Sequence, residues 1–112
     1  MAEGEGGRGE AGGVRLTPPE IDAIKAAADE AFGPEAVVRL YGSRVDDAMR
    51  GGDIDLMIEV ASDQLGIRAE SRFLSSLFRR IDERKVDQLL VERGAPLPPF
   101  AAMVAAHAVP LP

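Results

Sequence analysis

The chain has 112 residues, 46% of them hydrophobic, with a formal net charge of −6 and no cysteine. That length suits one domain, and the missing thiols exclude disulfides, thiolate metal sites and a cysteine nucleophile. The acidic balance argues against long nucleic acid as a partner, because phosphate backbones are met by basic surfaces.

Residues 1–13 are Gly/Glu-rich, with no apolar periodicity. Burial cannot offset the entropy of ordering such a stretch, so a disordered tail is expected, followed by one folded domain over residues 14–112. The first element opens at Thr17-Pro18-Pro19-Glu20. Thr17 suits an N-cap, Pro18 the first helical position, and Glu20 the acid of a capping box. Ile21, Ile24, Ala28, Ala31 and Phe32 recur at helical spacing, and Gly33-Pro34 ends the helix. Ala36 to Tyr41 is rich in β-formers and stops at Gly42, which predicts a strand. Residues 43–52 are polar, with at most one or two helical turns. From Asp53 to Val60 the pattern alternates: Ile54, Leu56, Ile58 and Val60 point one way, and Asp53, Asp55, Met57 and Glu59 the other. Residues 62–83 predict a helix with Leu65, Phe73, Leu74, Leu77, Phe78 and Ile81 as its apolar stripe. Val86 to Val91 predicts a third strand, Gly94 to Pro99 a turn, and residues 100–108 a last short helix. With no Trp, the core is expected to be aliphatic, with Phe32, Phe73, Phe78 and Phe100 as its bulky pieces.

This order predicts an α/β fold: a small mixed sheet of three or four strands with helices packed on it. A helical connection suits a parallel pairing of the second and third strands, and a short one suits antiparallel first and second strands. If these strands are neighbours, Gly42, Ser43, Asp53, Asp55 and Asp87 converge on one edge of the sheet. No run of ~20 apolar residues suggests a membrane span. The N-terminus is polar and acidic rather than basic and then apolar, so the expected location is cytoplasmic.

The acids carry the chemistry. Asp53 and Asp55, two apart on a strand, share a face. Strands disfavour Asp, and two close carboxylates repel unless a cation or proton lies between them. Asp87 repeats the anomaly on the next strand. Hard oxygen donors without His or Cys suit Mg²⁺ or Mn²⁺. Gly42 would let backbone approach a phosphate, and N–H groups at a helix start beside Ser43 would favour an anion. Each feature has a plainer reading. Asp-x-Asp is common by chance, the acids could be edge-exposed, and Ser43 could cap a short helix with Asp46 at its third position.

Taken together, Leu40-Tyr41-Gly42-Ser43-Arg44, then Gly52-Asp53-Ile54-Asp55-Leu56-Met57-Ile58, then Val86-Asp87 resemble the polymerase-β-like nucleotidyltransferase superfamily, and within it the minimal nucleotidyltransferases. The resemblance implies the polymerase-β palm fold and a transfer of nucleoside monophosphate, commonly AMP from ATP. It implies two Mg²⁺ ions between Asp53, Asp55, Asp87 and the triphosphate, with Asp87 on the attacking side. Ser43 would contact the β and γ phosphates, and Arg44 would either assist or stand as a solvated cation. Minimal members are often the antitoxin beside a HEPN-domain toxin, which implies a helical protein partner and a hetero-oligomer.

Two other functions stay open: a non-catalytic nucleotide-binding antitoxin acting by occlusion, and a subunit of a larger transferase. An exposed apolar face around Phe100 and Met103 would favour obligatory partnership. His107, the only histidine, reads as a packing or surface residue. Asp46 and Asp47 read as solvated, and Glu59 as lying too far along its strand to join the acids. The Arg79-Arg80 and Arg84-Lys85 group reads as a helix end whose cations suit the dipole.

Overall fold

A computed structural model describes residues 16–42 and 54–112. The disordered-tail expectation for residues 1–13 falls outside them, as do Ser43, Arg44, Asp46, Asp47, Met49 and Asp53.

The first helix, α1 (Pro18–Phe32), begins as its local chemistry dictates. The Thr17 hydroxyl accepts from the Glu20 N–H at 3.2 Å, and the Thr17 N–H donates to the Glu20 carboxylate at 2.9 Å. These two bonds satisfy groups a helix start otherwise leaves orphaned. Thr17→Ala is expected to cost about 1 kcal/mol of stability; a melting temperature equal to wild type would show that the box contributes nothing.

Strands β1 (Val37–Tyr41) and β2 (Ile54–Val60) pair antiparallel. Strand β3 (Val86–Glu92) pairs parallel with β2. A two-residue β4 (Val109–Pro110) adds to the outer side of β1, so the order is β3-β2-β1-β4. The mixed sheet and both main pairings are as the connection lengths required.

The helix expected over residues 62–83 is corrected. Ser62–Gln64 forms a 3₁₀ turn, and the α-helix proper, α2, is Ile67–Phe78. Gly66 sits at φ 128°, which a right-handed helix cannot continue through, so α2 can start only after it. Leu65 therefore leaves the expected stripe and is 42% exposed. The last helix, α3 (Pro99–Ala105), ends before His107, and β4 follows it.

Even-numbered residues of β2 lie under α1 and α2. Ile54, Leu56, Ile58 and Val60 are wholly buried with Ile24, Phe32, Phe73 and Leu77. The Phe32 and Phe73 rings stack at a centroid distance of 5.7 Å. Phe100 does not join this core: it is 57% exposed on α3, because that helix turns Ala101 and Val104 inward instead.

The basic group after α2 does more than suit the helix end. Arg80 donates to the Ser76 carbonyl in the last turn of α2 at 2.9 Å, and the arginines also tie α2 and its exit to α1. Glu30 accepts from the buried Ser76 hydroxyl at 2.6 Å and from Arg79 and Arg80 at 3.0 Å each. The Ser76 hydrogen bond first, then Arg80, hold the Glu30 carboxyl below its usual pKa. Arg84 meets Glu20 at 2.8 Å. Arg72 donates to the Ala31 carbonyl at 3.2 Å, one of the acceptors the end of α1 leaves open.

Candidate functional site

β1 runs into Gly42 at the end of the sheet where β2 and β3 begin. The register there is specific. Tyr41 stands opposite Asp55, and Asp55 stands opposite Asp87. The Ile54 N–H donates to the Lys85 carbonyl at 3.0 Å, which holds the starts of β2 and β3 level. Residues directly opposite share a face. Tyr41, Asp55 and Asp87 therefore form one row across three strands, on the side away from α1 and α2.

The next row on this face is Arg39, Met57 and Leu89, and the one after it is Val37, Glu59 and Val91. There α3 closes the sheet. Ala101 and Val104 pack on Met57 and Val91, with Tyr41, Leu89 and Ala105 around them. Glu59 is engaged by Arg39 at 3.5 Å, two rows from the acids. His107 is exposed beyond the end of α3.

Like charges directly opposite one another destabilise a sheet. Asp55 is half-buried and Asp87 exposed, so their juxtaposition runs against stability and suits a cation. The donors are hard oxygens, the kind Mg²⁺ takes.

The backbone adds a second feature. Gly42 has φ 82°, and a Cβ built there would collide with Asp55 Oδ2 and lie 3.2 Å from its Cγ. Only glycine lets the β1 turn come this close to the carboxylate. The space a side chain would fill is taken by the Asp55 carboxylate itself, so the turn's backbone lies directly against the acid.

Of the six residues singled out from the sequence, Gly42, Asp55 and Asp87 come together at this corner. Ser43, Arg44 and Asp53 lie outside the described residues.

Tyr41 was not anticipated as part of the site. Burial first, then the charges of Asp55 and Asp87, push its phenol pKa up, so the ring ends close to both acids. The signal was present in the alternation of β1. Val38 and Leu40 face the core, so Arg39 and Tyr41 must face the acids, but that follows only once the β1–β2 register is known. No protein-family model matches the chain, and no curated protein matches it either.

Proposed function

We propose that this chain is a Mg²⁺-dependent nucleotidyltransferase of the polymerase-β palm type, acting in the cytoplasm. It would move a nucleoside monophosphate, AMP from ATP in the first instance, onto a hydroxyl acceptor. The observation that carries this reading is the corner itself: Gly42 against Asp55, and Asp55 opposite Asp87. Two facing carboxylates with a glycine held against one of them break a local rule of sheets, and such breaks concentrate at sites.

Asp55 and Asp87, with Asp53, would hold the metal. When bound, Mg²⁺ offsets the charge of the triphosphate and polarises its reacting phosphoryl group. The chain's own residues do the rest by position. The Gly42 turn, with Ser43, seats the phosphates on the β1 side of the row. Asp87, on the far strand, faces the acceptor and takes up the proton of its hydroxyl. The acceptor oxygen forms its bond to the α-phosphorus as the bond to pyrophosphate breaks, and pyrophosphate leaves past Gly42. Holding reactants in this order is itself a large part of the rate.

The test is transfer of label from ATP, in Mg²⁺, to a co-purified partner or to a component of a lysate. Label is expected with Mg²⁺, and none once a chelator has removed the metal. No label from the wild-type chain, or equal label with chelator present, would sink the assignment.

One observation favours a second reading, a partner-binding module that acts by occlusion. Leu65, Leu97, Phe100 and Met103 are 42%, 38%, 57% and 58% exposed. The first three line an apolar groove of about 260 Å³ with Leu89 and Leu90 of β3. Clustered exposed apolar residues mark interaction surfaces. A helical toxin of the HEPN type, held in a hetero-oligomer, is the partner we propose for it. Under the occlusion reading, an Asp55→Asn chain would still neutralise that partner in cells; under the catalytic reading it would not.

A further inference from the structure

Tyr41 is the chain's only tyrosine, and neither the metal nor the phosphate role proposed above uses it. Its ring packs against the buried cluster of Met57, Val91, Ala101 and Val104, a setting that phenylalanine would fill equally well. The hydroxyl is what packing does not explain. It has no hydrogen-bond partner among the described residues, although a buried or half-buried phenol usually finds one.

Its place in the row is informative. Tyr41 is on β1, next to Gly42 in the chain and across from Asp55, whereas Asp87 is one strand further on. Neighbouring strands lie about 4.8 Å apart, so Tyr41 and Asp87 are separated by about 10 Å at the backbone, with Asp55 between them. A ligand seated at the Gly42 turn and reaching Asp55 lies next to Tyr41 in the row. The ring is held from behind by the α3 cluster, so its orientation is set before a ligand arrives. A phenol offers one O–H donor, and phosphate and ribose oxygens are acceptors. Beside two carboxylates, a neutral donor can hold a nucleotide oxygen without competing for the cation.

We propose that Tyr41 is a nucleotide-binding residue. Its ring walls the Asp55–Asp87 row, and its hydroxyl donates a hydrogen bond to an oxygen of the triphosphate seated at Gly42. This rests on the nucleotide reading of the site. It is on the leaving-group side of the row, so it steadies the triphosphate and does not serve as the acceptor.

The experiment is calorimetric binding of a non-hydrolysable ATP analogue in Mg²⁺ to the full chain, for wild type, Tyr41→Phe and Tyr41→Leu. Thermal melts of each variant, with Mg²⁺ alone, accompany it. Tyr41→Phe is expected to weaken analogue binding by on the order of tenfold, the loss of one hydrogen bond to a charged group. Its melting temperature and its response to Mg²⁺ should match wild type. In turnover, its KM for ATP should rise by a similar factor while kcat changes little. Tyr41→Leu should bind still more weakly and melt earlier, because the wall is lost as well.

Wild-type binding matched within twofold by Tyr41→Phe would overturn the role of the hydroxyl and leave the nucleotide site standing. Failure of the wild-type chain to bind the analogue at all would overturn both.

Discussion

Asp87→Asn is expected to lower nucleotide transfer by on the order of 10²–10³, the cost of removing one preorganised electrostatic group from a reacting centre. Its melting temperature without metal should not fall. The two expectations are linked. Asp87 is exposed and stands directly opposite Asp55, and an amide there removes one of two facing like charges. A residue that matters for chemistry and not for folding is the signature of a site set up against local stability. Mg²⁺ supplies a third readout. Binding to the folded state alone stabilises by about 2.7 kcal/mol at a hundredfold excess over Kd. For a domain of this size that is a shift of roughly 10 °C or more. Wild type should show a metal-dependent rise in melting temperature, and Asp87→Asn should lose most of it. A marked fall in stability without metal would make Asp87 structural. An undiminished Mg²⁺ response would remove it from the ligand set.

Gly42→Ala should be more damaging than the loss of two hydrogen atoms suggests. At φ 82° an alanine bears a left-handed penalty of roughly 1–2 kcal/mol. Its Cβ would also collide with Asp55 Oδ2, so the carboxylate or the turn must move. The expected result is a lower melting temperature together with loss of transfer and a weakened Mg²⁺ response. Gly66→Ala separates the two causes. It carries a left-handed φ of 128° with nothing within 4 Å of the added Cβ. It should lose only the backbone share of that stability and keep full transfer. If Gly42→Ala keeps full transfer as well, the close approach of the turn to Asp55 has no functional weight.

Features with short-range causes were legible without coordinates. The capping box of α1 needs only Thr17, Pro18 and Glu20 in order, because its bonds close within one turn. The buried face of β2 follows from Ile54, Leu56, Ile58 and Val60 alternating. The mixed sheet followed from connection lengths, since a parallel crossover needs a long link and a hairpin does not. The errors share the opposite cause. The stripe continued back to Leu65 at helical spacing, and periodicity alone does not register that Gly66 takes a conformation helices exclude. Arg79 and Arg80 read only as cations suited to a helix end, and their tie to α1 was missed because their acceptor, Glu30, is some fifty residues away in the chain. β4 has two residues, one of them a proline, too little pattern to read; it exists because β1 offers an open edge at Arg39 and Leu40 to Val109 and Pro110.

The candidate site divides along the same line. Sequence by itself determined that Gly42 stands at a strand end and Asp55 and Asp87 near strand starts, and that Asp55 faces away from the core, since residue type and two-residue alternation are local. Only the tertiary structure decided that Asp55 meets Asp87 squarely, that Gly42 presses on Asp55, and that Tyr41 completes their row. Register between strands is a non-local choice: a slip of one residue would send every one of these side chains to the opposite face. Here it is held by the buried Ile54, Leu56, Ile58 and Val60 beneath α1 and α2, so the apolar side of the sheet is what brings the acidic side together.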